Sequence, residues 1–243
     1  MLFRSKVPNL VMAVDQKLAQ PVTLYAIDST SGQEKWIQEA GDGAPVKLDA
    51  KSNLVYLEIQ GGMDNRKASQ SAVIAYDSNT GMEKWRVNSG ELKTRPNDAM
   101  EAMLPFELQN GNLCFFFQNI SMPSSRQAKP QDISADTTLF VINADNGAEE
   151  ANYKVSLPAM VFNQQQGPPA FSNGYAYLIS FDTSMINDEK ISYTLSAISM
   201  QNGMEEWSVP VMDSPQALLS VAGVFDGRIY LASLGRATVW EIR

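Results

Sequence analysis

The sequence predicts an all-β protein made of about five repeated four-stranded antiparallel units. Three observations predict this fold class: a twelve-residue motif that occurs four times, short turn signals upstream of each copy, and steps of 49, 66 and 56 residues between the motif glycines. Repeats with a period of about 50 residues indicate an architecture in which one supersecondary unit is copied along the chain.

The recurring motif has the pattern of a β-hairpin. Apolar and polar residues alternate up to Asp28, a polar turn follows, and Gly32 and Trp36 come four and eight residues later. Glycine adopts positive φ without the steric cost that a side chain would add, so we expect it to close the turn. The motif residues, which we interpret as structural, are Asp28, Gly32, Trp36, Asp77, Gly81, Trp85, Gly147, Gly203 and Trp207.

A second hairpin precedes the motif in each unit. Its turns include Asn110-Gly111, Asn173-Gly174 and Asp226-Gly227, and an apolar run follows each of them. Asn-Gly and Asp-Gly between apolar runs are the strongest short hairpin signals. Each unit therefore has strands A, B, C and D, except that the last unit has no recognisable D strand.

The composition limits the chemistry that the chain can perform. It has 243 residues, a formal charge of −8, no histidine and one cysteine, Cys114. Without histidine there can be no Ser-His-Asp or Cys-His relay and no histidine-bound metal. No basic stripe is present, so nucleic acid is not an expected partner. No segment reaches the roughly 18 apolar residues of a membrane span, so direct membrane insertion is not expected.

At the hairpin motif the chain resembles the PQQ-like repeat family, whose blades carry an Ala-x-Asp-x-x-x-Gly-x-x-x-Trp hairpin. The resemblance implies one β-propeller domain over residues 1–243, with blades at about 1–40, 41–91, 92–156, 157–211 and 212–243. The third blade departs from the pattern, with Asn143 in the Asp position and Ala151 in the Trp position. Two alternatives stay open: a five-bladed ring with a three-stranded last blade, or a part of a longer chain.

Chain length varies mainly between strands B and C and between strands D and A. These connections lie at one end of each unit, and irregular loops on a rigid scaffold commonly carry recognition. We expect long B–C loops at Gly61–Gln70, Asn119–Asp136 and Phe181–Glu189. The candidate partner-binding residues in these loops are Met63, Asp64, Arg66, Lys67, Met122, Arg126, Lys129 and Met185.

Three functions are compatible with the resemblance. The first is a non-catalytic scaffold that binds a protein partner and no cofactor, similar to the scaffold lipoprotein of the outer-membrane β-barrel assembly machinery. This likeness implies a periplasmic or other extracytoplasmic location, although the sequence contains no recognisable signal peptide. The alternatives are a quinoprotein-type dehydrogenase with PQQ and calcium, or a ligand-sensing module of a larger protein. The lone Cys114 cannot form the disulfide between adjacent cysteines that such dehydrogenases commonly use.

Overall fold

The structure is a computed structural model. It describes residues 2–4, 10–15, 21–51, 53–61, 63–64, 67–68, 71–92, 100–121, 134–156, 169–181, 192–213, 219–233 and 236–241. All regular elements in these ranges are strands, apart from a 3-10 turn at Ser89–Glu91. The prediction of an all-β fold is confirmed.

In the described ranges, five antiparallel sheets of three to five strands follow one another along the chain. The first sheet contains β1 (Leu2–Arg4), β2 (Leu10–Asp15), β3 (Val22–Asp28) and β4 (Glu34–Gly41). The second contains β5 (Ala44–Lys51), β6 (Leu54–Gln60), β9 (Ala72–Asp77) and β10 (Glu83–Asn88). Two short strands between β6 and β9, β7 (Met63–Asp64) and β8 (Lys67–Ala68), form a separate hairpin.

The third sheet has an interrupted A strand. It contains β11 (Met100–Met103), β12 (Glu107–Gln109), β13 (Asn112–Ser121), β14 (Ser134–Asn143) and β15 (Glu149–Val155). Both β11 and β12 pair with β13, and Pro105, which has no N–H to donate to a ladder, lies between them.

The remaining sheets have four and three described strands. The fourth contains β16 (Ala170–Ser172), β17 (Tyr175–Phe181), β18 (Ser192–Ser199) and β19 (Glu205–Asp213). The fifth contains β20 (Leu219–Phe225), β21 (Arg228–Ser233) and β22 (Arg236–Glu241). Repeated antiparallel sheets of this kind are what the predicted PQQ-like β-propeller requires as blades.

The turns between A and B strands have the backbone that the sequence predicts. Asn110, Asn173 and Asp226 have φ near +50°, and the glycine after each also has positive φ. Two consecutive residues at positive φ form a type I′ turn, whose twist matches that of the flanking strands. Asn and Asp are the side chains that best tolerate the first of these positions.

Two of the expected long loops are shorter in the structure than we predicted. The segment Gly61–Gln70 contains the β7–β8 hairpin, and β13 and β14 extend into both ends of the segment Asn119–Asp136. Strand pairing thus continues past the point where the apolar pattern of the sequence weakens.

The chain divides into two compact units, each with its own core. The first contains residues 1–93 with the turns 110–112 and 142–149, and the second contains 94–109, 113–141 and 150–243. The core of the first unit packs apolar residues of the first two sheets, such as Leu24, Leu57 and Ile74. In the second unit, one cluster includes Cys114 and Phe116 and another includes Tyr193 and Leu231. The division into one propeller domain with the stated blade limits stays a prediction.

Candidate functional site

The turn between strands C and D has the same construction in the first two sheets. The Asp28 carboxylate accepts hydrogen bonds of 2.9 Å from the N–H groups of both Thr30 and Ser31. The Gly32 N–H donates to the Asp28 carbonyl at 2.8 Å, and Gly32 has a φ of 71°. In the second sheet, Asp77 accepts from Asn79 and Thr80 at 3.0 Å each. Both aspartates thus hold their turns through side-chain-to-backbone hydrogen bonds.

The later turns show which part of this construction is needed. Asn143 accepts the equivalent bonds through its amide oxygen, at 3.0 and 3.3 Å. Ser199 keeps one, from the Gln201 N–H at 3.3 Å. A side-chain oxygen that accepts from the turn backbone is what Asp, Asn and Ser share. Negative charge at this position is therefore dispensable for the turn.

Hydrogen bonding also fixes the charge state of the two aspartates. The N–H groups of Ser31 and Thr30 hold the pKa of Asp28 below its ordinary value. Burial opposes this effect at Asp77, but hydrogen bonds from Asn79 and Thr80 outweigh it and the pKa is again lowered. Lys35 and Lys84 lie 3.7 and 3.4 Å from the two carboxylates. Both carboxyl groups are therefore ionised near neutral pH, unlike a general acid poised near pH 7.

Each motif tryptophan of the first unit packs on the glycine of the next C–D turn. A Cβ built on Gly81 would lie 2.7 Å from Cδ2 of Trp36, and one built on Gly147 would lie 2.7 Å from Cδ2 of Trp85. The indole N–H groups donate to backbone carbonyls in the same turns, Trp36 to Ser78 at 2.9 Å and Trp85 to Ala144 at 3.1 Å. We call each such pair of a ring and a turn glycine an aromatic–glycine interlock. Only glycine allows this approach, because any Cβ would overlap the ring.

A tyrosine forms the equivalent contact in the second unit. Cβ and Cγ of Tyr153 lie against Gly203, with Cγ 2.8 Å from the position of a Cβ on that glycine. Tyr153 is two residues after Ala151 on the same strand, so both side chains point to the same face. Counting four residues from Gly147 put Ala151 in the Trp position of the motif, so the sequence analysis missed Tyr153. The signal that could have revealed it is an aromatic residue shifted by one strand repeat.

The indoles of Trp85 and Trp207 also contact tyrosines from the B strands of their own sheets. Tyr56 and Trp85 have ring centroids 5.9 Å apart, and Tyr177 and Trp207 are 6.1 Å apart, both tilted by about 40°. Trp36 is 8% exposed, whereas Trp85 and Trp207 are half-buried. All three tryptophans therefore pack against a turn glycine or a tyrosine ring.

Arg86, like Tyr153, makes contacts that the sequence pattern did not reveal. Its guanidinium binds the Glu83 carboxylate through two hydrogen bonds, of 3.1 and 2.8 Å, and also donates to the Ala40 carbonyl at 3.1 Å. The arginine thus connects β10 to the last strand of the first sheet. Planar guanidinium groups are suited to such simultaneous contacts.

Cys114 lies in the core of the second unit. It is buried, and burial raises the pKa of its thiol to about 12. A thiol that stays protonated at neutral pH is a small core residue and not an activated nucleophile. Among the described residues, no three acidic, histidine or cysteine side chains are grouped as metal ligands.

The predicted partner-binding residues are only partly within the described chain. The backbones of Met63, Asp64 and Lys67 lie in the β7–β8 hairpin, where Asp64 pairs with Lys67. Arg66, Met122, Arg126, Lys129 and Met185 lie outside the described residues. Their role in binding a partner stays a prediction. No helix in the described part of the chain is long and apolar enough to cross a membrane.

The chain is similar in structure to several solved proteins at low sequence identity. BamB from Moraxella catarrhalis is 13% identical, with a TM-score of 0.45, over 96% of this chain and 82% of that one. Kuenenia stuttgartiensis hydrazine synthase is 9% identical, with a TM-score of 0.56, over 96% and 68%. A puromycin-hydrolyzing peptidase of Mycobacterium tuberculosis is 14% identical, with a TM-score of 0.51, over 98% and 36%. Identities this low show the fold alone.

The sequence itself gives the more specific assignment. No curated protein matches it significantly. A family model described as outer membrane protein assembly factor BamB, which represents PQQ-like repeats, matches residues 11–243. The match includes strands of all five sheets and each of the C–D turns described above, and β1 lies before its first residue. The chain therefore belongs to the BamB-like family of PQQ-repeat proteins.

Proposed function

We propose that the chain is a non-catalytic scaffold that binds a protein partner through the long connections at one end of its sheets. The observation that carries this proposal is that the motif residues are engaged in structural contacts. Asp28, Asp77, Trp36 and Trp85 are all engaged in turns or interlocks, so the recurring residues support the architecture and leave none of them arranged for chemistry.

The B–C connections are longer than the C–D turns, and this difference supports a binding surface at the B–C end of the sheets. The C–D turns are residues 29–33, 78–82, 144–148 and 200–204, all of the same length. The B–C connections of the second, third and fourth sheets are residues 61–71, 122–133 and 182–191. Because consecutive strands are antiparallel, these two kinds of connection lie at opposite ends of each sheet. Length can vary freely at the end where it does not have to preserve an interlock.

Family membership supports the class of function and the location. The family description names an outer membrane protein assembly factor, and a factor of that kind acts on other proteins. We propose an extracytoplasmic location for this chain on the same basis. The candidate contact residues include Met63, Met122 and Met185, whose flexible side chains suit an adaptable protein-binding surface.

Two charge-reversal variants of equal charge test the position of the surface. The loop variant is Arg126→Glu with Lys129→Glu, and the control is Lys154→Glu with Arg228→Glu, two exposed residues on strands. Each is used as bait for crosslinked partners in a bacterial envelope extract. We expect the loop variant to lose the partner and the control to retain it, with equal denaturation midpoints. Retention by the loop variant and loss by the control would show that the surface is elsewhere.

A titration with PQQ and calcium tests the absence of catalysis. We expect no saturable quenching of tryptophan fluorescence and no alcohol- or sugar-dependent dye reduction. Saturable quenching together with turnover would identify a quinoprotein enzyme and contradict the scaffold proposal.

A further inference from the structure

We propose that the second unit binds a structural water molecule between the third and fourth sheets, in the half of their interface nearer the B–C connections. The water joins the amide oxygen of Gln118 to the hydroxyl of Ser180, two buried groups of one compact unit. Neither the repeat motif nor the partner surface proposed above involves these groups. The inference therefore goes beyond the scaffold function and does not depend on it.

The third and fourth sheets face each other across an apolar cluster. Phe116 and Leu139 of the third sheet pack there with Leu178 and Ile198 of the fourth. Side chains two residues apart on a strand point to the same face of the sheet. One such step from each of these residues toward the B–C connection leads to a buried polar side chain. We call these four residues the polar layer: Gln118, Thr137, Ser180 and Ser196.

The hydrogen bonds of the polar layer are incomplete within the described chain. The Gln118 side-chain N–H donates to the Thr137 hydroxyl at 2.9 Å. Oε1 of Gln118 and Oγ of Ser180 belong to residues that are 0% exposed, and neither atom has a hydrogen-bond partner among the described residues. A buried polar atom in this state loses the hydrogen bonds that it makes with water in the unfolded chain. Both atoms therefore require a further group, one that donates to the amide oxygen and also bonds to the hydroxyl.

The first unit shows that the fold does not need polar residues in this layer. Its strands are aligned with those of the second unit by the carbonyl that accepts from each C–D turn glycine and by the pairing of B with C strands. In this alignment, three members of the polar layer have buried apolar counterparts between the first and second sheets. Thr137, Ser180 and Ser196 correspond to Val22, Ile59 and Ile74. The same backbone thus accommodates an apolar layer, and the polar one is specific to the interface of the third and fourth sheets.

Size and charge both favour water as the group that the layer binds. Each serine is about two heavy atoms smaller than the isoleucine to which it corresponds, which leaves space on the order of one water molecule. Buried waters typically make about three hydrogen bonds to polar groups that have no other partner. Gln118 and Ser180 supply two of these bonds, and the Ser196 hydroxyl on the same face supplies the third. None of the four side chains carries a charge, so the layer suits a neutral molecule and not an ion.

A crystal structure of the full chain at high resolution tests the site directly. We expect one peak of electron density within about 3.2 Å of both Gln118 Oε1 and Ser180 Oγ, the upper limit for a good hydrogen bond. The melting temperature of Ser180→Ala gives an independent test in solution. The temperature should fall, because the alanine cannot bond to the water. Ser208→Ala is the matched control, since Ser208 is an exposed serine on β19 of the same sheet, and it should leave the melting temperature unchanged.

Three outcomes would overturn the proposal. The first is a crystal structure with no density between the two atoms. The second is a protein group bonded to Gln118 Oε1 or Ser180 Oγ in place of the water. The third is a higher melting temperature for Ser180→Ala, because removal of a buried hydroxyl that has no partner stabilises a protein. None of these measurements involves a binding partner, so failure here is distinguishable from failure of the proposed partner surface.

Discussion

Both units pack an aromatic ring on a turn glycine, but they use different aromatic residues. In the first unit, Trp36 and Trp85 contact turn glycines and also donate an N–H to the turn. In the second unit, Tyr153 contacts Gly203 from a position two residues further along its strand. The glycine and its positive φ are the same in all three cases, but the aromatic residue is not. The glycine turn is therefore the fixed half of the interlock, and the ring is the adaptable half.

The largest expected effect is that of removing Trp36, the best-buried ring among the interlocks. Trp36→Ala should destabilise the chain by about 3–5 kcal/mol, because it empties a buried aromatic site. It also leaves the Ser78 carbonyl without the indole N–H. Chemical denaturation measures the change, with Trp36→Phe as a control that keeps a ring but removes the donor. A loss for Trp36→Ala below about 1 kcal/mol would show that the first interlock does not hold the unit together.

A smaller effect is expected at the tyrosine interlock. Tyr153→Ala should cost about 1.5–3 kcal/mol, the range for burying a large apolar side chain, with no loss of an N–H donor. Tyr153→Phe should change stability by less than about 0.5 kcal/mol, as is usual away from specific interactions. Denaturation midpoints of both variants sharpen the comparison with Trp36. Equal costs for Tyr153→Ala and Tyr153→Phe would mean that the hydroxyl matters and the ring on Gly203 does not.

The smallest effect concerns the charge of the turn. Asp77→Asn should cost less than about 1 kcal/mol at pH 7, because Asn143 shows that an amide oxygen can accept the same bonds, and exposed ion pairs contribute little. The pKa of Asp77 is lowered in the folded chain, so its charge contributes stability above the ordinary value of 3.8. That contribution is lost as the pH falls through the folded pKa. Urea denaturation at pH 7, 5 and 3 should show the difference from the native chain shrinking only at the lowest pH. A difference that grows on acidification would contradict this assignment.

Much of the architecture could be predicted because local sequence determines it. Asn110, Asn173 and Asp226 specify their turns through a backbone conformation that few residues accept, and the motif glycines do the same. Because the motif is repeated, the same turn signal occurs several times along the chain. Such positions depend on immediate neighbours in the chain and need no knowledge of tertiary packing.

Contacts between distant segments were harder to predict. Tyr153 takes over an interlock because its strand presents two side chains to the same face, and a motif with fixed spacing considers only one of them. The bond from Arg86 to the Ala40 carbonyl depends on how two sheets approach one another, which no local pattern encodes. The β7–β8 hairpin was expected as a loop because its strands have only two residues each.

The order of the interlocks along the chain has a consequence for biosynthesis. Each indole ring is synthesised before the turn that it packs against. The Ser78 carbonyl is 42 residues after Trp36, and the Ala144 carbonyl is 59 residues after Trp85. At the usual rates of synthesis these intervals last several seconds, far longer than hairpin formation. During that time the outer strand of a newly made sheet exposes its tryptophan at an unpaired edge, a surface that favours misassembly. Each nascent sheet is thus vulnerable until its successor emerges from the ribosome, and a chaperone that recognises aromatic edges would act in that interval.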